Sequence, residues 1–84
     1  MTPEARLKRL RLRCWRRGTK EADLILGRFA DDKAARLSDR HLAGLEALLD
    51  ENDWDIFAWV AGGTAPPEAH RGIVDELRLF HQVF

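Results

Sequence analysis

At 84 residues, with 45% hydrophobic and 33% charged side chains, the chain is expected to form one soluble domain, 1–84, that buries ~60 to 65% of the surface its unfolded form exposes. Such a core leaves no room for a deep active site, and no apolar run approaches the roughly 20 residues that a membrane span needs. The formal net charge is zero but polarised: residues 1–20 hold eight Lys or Arg against Glu4 alone, a net of +7, and the rest carries the balancing −7. An acidic or phosphate-bearing partner is therefore drawn to the N-terminal part, unless the basic first helix packs beside the acidic later ones.

The hydrophobic pattern is helical throughout. Leu7, Leu10 and Cys14 share one face of a first helix that begins after Pro3 and is interrupted at Gly18. Ala22, Ile25, Leu26 and Phe29, at i, i+3, i+4 and i+7, define a second that fades in Asp31-Asp32-Lys33. Ser38 is placed to cap a third, with Leu37 stapled on Leu42, and Leu42, Leu45, Leu48 and Leu49 form its buried side. Asn52 or Asp53 caps a short fourth helix bearing Ile56, Phe57 and Val60, which ends at Gly62-Gly63, where positive φ is cheap. Pro66 and Pro67 open a last helix with Ile73, Leu77, Phe80 and Phe84 along one side. The expectation is an all-α bundle of four to five helices joined by short connections, with Ile25, Phe29, Leu45, Leu49 and Leu77 in its core.

The junction of the first two helices reads Arg16-Arg17-Gly18-Thr19-Lys20-Glu21. In a continuous helix Arg17 and Glu21 would be i, i+4 neighbours, an ordinary surface pair worth a few tenths of a kcal/mol. That arrangement accounts poorly for Gly18, because glycine inside a helix costs ~1 kcal/mol relative to alanine. A turn there, with Gly18 or Thr19 capping the second helix, avoids the cost, leaves free N–H groups beside positive charge and lets another backbone approach closely. On spacing alone the surface pair and the docking point weigh equally. Trp15, flanked by arginines, has the composition of a binding hot spot, whereas Trp59 beside Phe57 and Val60 reads as core. Cys14, the sole cysteine, reads as a small buried apolar residue in a reducing setting. His41, His70 and His81 offer no zinc spacing, so no metal is expected.

The run Cys14-Trp15-Arg16-Arg17-Gly18, continuing through Glu21-Ala22-Asp23-Leu24, resembles the Arg-Gly-x-x-Glu motif and following helix of the succinate dehydrogenase flavinylation factors. The resemblance resumes at Leu37-Ser38, at Leu45-Glu46-Ala47-Leu48-Leu49 and at Asp53-Trp54-Asp55-Ile56-Phe57-Ala58-Trp59-Val60, so it covers nearly the whole chain. Two departures are visible: Trp54 stands in the family's usual proline slot and Ala22 in a usual leucine slot. The resemblance implies a chaperone-like assembly factor that binds the flavoprotein subunit of succinate dehydrogenase, and in related proteins that of fumarate reductase, and promotes covalent attachment of FAD to it. It also implies Arg17, Gly18 and Glu21 as partner-binding residues, with Arg16 and Lys20 as flanking charges; Trp15, from its own composition, is a secondary candidate contact. Arg17 and Glu21 are then expected to act on the partner, so that alanine at either leaves the melting temperature nearly unchanged.

No nucleophile paired with a base and no cofactor loop is evident, so the chain is read as no enzyme and as holding no cofactor stably; a carrier of free FAD through the Arg16 and Arg17 cluster is a further reading, which no glycine-rich dinucleotide fingerprint supports. A nucleic-acid-binding helical module is the alternative suggested by the +7 segment, but Asp75 and Glu76 on the last helix leave no second basic surface. The first helix is Arg-rich like a transit peptide, yet it lacks serine enrichment and runs straight into the motif, which points to a bacterial cytoplasmic protein, monomeric when free.

Overall fold

The computed structural model describes residues 2–82. Five α-helices follow one another: α1 (Pro3–Trp15), α2 (Lys20–Lys33), α3 (Asp39–Leu48), α4 (Asp53–Ala61) and α5 (Arg71–Gln82), with single 3-10 turns at Ala34–Arg36 and Glu68–His70. No strand occurs among the described residues. The starts of α1 to α4 are each fixed by a side chain that satisfies an otherwise unpaired backbone donor. The Thr2 hydroxyl accepts from the Ala5 N–H, that of Thr19 from Ala22, that of Ser38 from His41, and the Asn52 side-chain carbonyl from Asp55. Gly62, at φ +86°, ends α4 in the left-handed conformation, and the Gly63 N–H turns back to the Ala58 carbonyl at 2.9 Å.

α1 packs chiefly on α2, and α5 closes against α2, α3 and α4. Phe29, Leu10, Leu26, Leu45, Leu48, Ile56, Leu77, Val74 and Cys14 are fully buried between them. The radius of gyration is 11.8 Å, which is that of one folded unit of this length. Phe29 and Phe80 meet edge to face with centroids 5.5 Å apart, a favoured aromatic geometry. Four of the five residues expected in the core are there; Ile25 only packs against its edge.

Two expectations are corrected, and a third lies outside the described residues. Phe57, grouped with Ile56 and Val60 as the apolar residues of the fourth helix, is 43% exposed, because Ile56 and Trp59 take the inward positions. Pro66 and Pro67 do not open the last α-helix: Pro67 precedes the 3-10 turn, and α5 begins at Arg71. Phe84, placed on the buried side of the last helix, lies outside the described residues. The charge segregation is partly resolved within the fold, since Arg6 pairs with Glu46, Arg11 with Asp31, Arg13 with Asp50 and Arg17 with Asp53. Lys8, Arg9, Arg16 and Lys20 form no ion pair among the described residues. No helix is long and apolar enough to cross a membrane.

Candidate functional site

The α1–α2 connection is a sharp reversal. Arg16 ends α1, Gly18 stands at φ +100°, and Thr19 caps α2. A side chain at Gly18 would meet nothing within 4 Å, so the glycine answers a backbone requirement rather than a crowded site. The turn is held by the Arg17 N–H, which donates to the Asp23 carboxylate at 2.7 Å.

The two charged ends of the motif do not pair with each other. The Arg17 guanidinium turns inward: Nε donates to Asp53 Oδ1 at 2.8 Å, Nη2 to the Glu51 carbonyl at 2.6 Å and Nη1 to the Leu49 carbonyl. Those carbonyls belong to the end of α3 and the loop after it, and Asp53 is the first residue of α4. A fork of donors thus joins the electronegative end of one helix to a carboxylate at the electropositive start of the next, both favoured by the helix dipoles. With 13% of its side chain exposed, Arg17 has little left to offer a partner. This departs from the expectation of a guanidinium directed outward. The α3–α4 loop is also held by His70, which is buried, contacts Glu51 Oε2 through Nε2 at 2.7 Å and packs on Trp59.

Glu21 is different. It is exposed and has no hydrogen bond or ion pair among the described residues. With Thr19, Ala22, Asp53, Trp54 and Phe57 it lines a groove of about 300 Å³ between the first turns of α2 and α4. Trp54 is 80% exposed there. Sequence reasoning missed Asp53, Trp54 and Phe57 as site residues, although a signal was present. Trp54, Ile56, Phe57, Trp59 and Val60 are too many large apolar residues for one face of a nine-residue helix, so some had to face outward.

Of the remaining candidates, Trp15 and Arg16 end α1 and Lys20 opens α2. Arg16 and Lys20 are exposed, and Arg16 lines a shallow depression with Arg9, Leu12, Arg13 and Arg17. Trp15 is 37% exposed but anchored: its indole N–H donates to Asp31 Oδ2 at 3.1 Å, and Arg11 donates to the other oxygen of that carboxylate. Its ring lies on the bare backbone of Gly27, where a Cβ would stand 2.3 Å from a ring carbon. Gly27 is therefore the glycine that permits close approach, and it does so within the fold. Cys14 is fully buried, and burial pushes its thiol up to about 12, so it is protonated and unreactive near neutral pH. The structure thus brings Glu21 and the α4 aromatics to one groove next to the Gly18 turn, draws Arg17 beneath, leaves Arg16 and Lys20 exposed at the turn, and sets Trp15 apart, further along α2 against Gly27 and Asp31.

Residues 8–81 match the family model described as flavinator of succinate dehydrogenase. Among relatives, the chain is 40% identical over 67 residues to "Succinate dehydrogenase assembly factor 2, mitochondrial" of Schizosaccharomyces pombe, covering 80% of this chain and 48% of that protein. The protein of the same name from Meyerozyma guilliermondii is 45% identical over 58 residues, 69% of this chain and 43% of its own. That from Cryptococcus neoformans is 42% identical over 57 residues, 68% and 33%. The chain spans about half or less of the length of these relatives. All three are named as mitochondrial proteins and come from fungi, which overturns the bacterial cytoplasmic setting expected from the sequence. The physical reason is plain: α1 is built into the bundle, so its composition reports on packing and not on compartment.

Proposed function

The chain belongs to the family of succinate dehydrogenase flavinators, and from that premise we propose that it binds the flavoprotein subunit of succinate dehydrogenase and promotes covalent attachment of FAD to it. It is a monomer when free, holds no cofactor stably and performs no chemistry of its own. The bond to flavin forms within the partner. The chain contributes a rigid surface that favours the conformation competent for attachment, which requires tighter binding to that conformation than to others. The observation that carries this reading is the unpartnered Glu21 at the edge of an exposed aromatic groove, beside a turn fixed by Gly18 and by Arg17 beneath it. A surface so stiffened loses little entropy on docking. Gly18, Glu21, Arg16, Lys20 and Trp15 are the proposed contacts, and Arg17 positions them.

The test is to mix the purified chain with FAD-free flavoprotein subunit and free FAD, then measure flavin fluorescence of the subunit after denaturing electrophoresis. Covalent flavin should rise with the chain present and should fall sharply with Gly18→Arg. Covalent flavin indifferent to the chain would overturn the proposal. The flavoprotein of fumarate reductase, run in parallel, asks whether the same surface serves a second partner of this kind.

A further inference from the structure

We infer that the groove between α2 and α4 seats a segment of the protein partner that inserts one apolar side chain between Trp54 and Phe57 and sets a Lys or Arg against Glu21. The inference rests on the partner reading above and specifies the chemistry it must contain. Trp54 and Phe57 are one helical turn apart on α4, 80% and 43% exposed, and nothing within the fold requires aromatic residues there. Contiguous exposed aromatics mark interaction sites, and tryptophan is the residue most enriched where binding energy concentrates.

Size and charge choose the occupant. The groove holds about 300 Å³, at the small end of the roughly 300 to 1,000 Å³ of small-molecule pockets. That is room for one or two side chains and not for a dinucleotide. Its only charged lining groups are the Glu21 and Asp53 carboxylates, and Arg17 neutralises Asp53 from behind. The charge left at the edge is therefore Glu21. Phosphates of nucleic acid or of an anionic lipid surface are repelled by it, and a cationic side chain is the complement. The walls are stiff, because Asn52 and Thr19 cap the two helices and Arg17 fixes Asp53.

Titration calorimetry of the full chain against FAD-free succinate dehydrogenase flavoprotein subunit tests this. Trp54→Ala should weaken binding about thirtyfold and Phe57→Ala about tenfold. Glu21→Lys should weaken it at least tenfold. Trp54→Phe should stay within about threefold of the wild type, and Leu79→Ala, an exposed apolar residue on a different groove, should change nothing. The fluorescence difference between wild type and Trp54→Phe should shift to the blue on complex formation, which reads the indole directly even if an alanine variant folds poorly. If the wild type binds while Trp54→Ala and Phe57→Ala bind within twofold of it, or the indole signal does not shift, the groove is not the seat and the partner reading stands. If the wild type neither binds the subunit nor promotes its covalent flavin, the partner reading fails and this inference falls with it. Sedimentation of the chain alone separates a further case: a dimer dispersed by Trp54→Ala would overturn the inference in favour of a second copy.

Discussion

Arg17 and Glu21 sit four residues apart on either side of one glycine turn, yet they face opposite tasks. Arg17 is drawn into the fold and ties α1 to the end of α3 and the start of α4 through three side-chain hydrogen bonds. Glu21 projects from the first turn of α2 with no partner of its own, at the rim of a groove floored by aromatics. A motif that reads in sequence as one charged unit is thus two devices in space. One shapes the surface and the other is displayed on it. Substitutions that are equivalent on paper should therefore separate in the test tube.

The largest effect is expected at Arg17. Alanine there leaves two carbonyls and a half-buried carboxylate without their donor, and such charge-assisted bonds carry more than neutral ones. A loss of ~2 to 3 kcal/mol is expected, on the order of a 10 to 20 °C fall in melting temperature for a domain of this size. Arg17→Lys keeps the charge but not the fork and should recover only part of it. A melting temperature unchanged by Arg17→Ala, measured by circular dichroism, would return Arg17 to the displayed class.

Gly18 should fall between the two. Because the space around it is open and its φ is +100°, alanine and arginine meet the same backbone cost, ~1 to 2 kcal/mol. Their stabilities should be alike while covalent flavin on the partner falls further with arginine, which isolates bulk at the docking surface from strain in the turn. Equal functional loss in both variants would mean that the turn's shape alone matters.

The smallest effect concerns the Arg6–Glu46 pair, which fastens α1 to α3 away from the turn. Hydrogen bonding by Arg6 holds the Glu46 carboxyl below its usual range. A lowered folded-state pKa means stability that is complete above the unfolded value and drains away as pH falls through the lowered one. The melting-temperature difference between wild type and Glu46→Gln should accordingly be slight at neutral pH, since both side chains are about a third exposed, and should shrink toward zero on acidification. A difference that grows in acid would contradict this sign.

The helices and their caps were legible in the sequence because both are local. Period 3.6 placed Leu26, Phe29, Leu45 and Leu77 inward, and Thr19, Ser38 and Asn52 announced helix starts within a residue or two. Half of the site was legible for the same reason: Gly18 betrayed the turn. What Arg17 does was not. Its acceptors lie 32 to 36 residues away, and two are backbone carbonyls at a helix end, which carry no side-chain signature. Gly27 was passed over because only the crossing of α1 and α2 brings Trp15 onto it. The exposure of Trp54 and Phe57 was not legible because α4 is apolar around most of its circumference, so periodicity could not say which aromatics face out.

The division of the motif is tested most directly by Glu21→Ala, assayed for thermal stability and for covalent flavin on the succinate dehydrogenase flavoprotein in the same preparation. Melting within about 2 °C of the wild type, as for an exposed charge that contributes little to stability, together with a sharp loss of covalent flavin, is the predicted result. A stable variant that supports normal flavinylation, or one whose loss of function tracks a loss of fold, would contradict it.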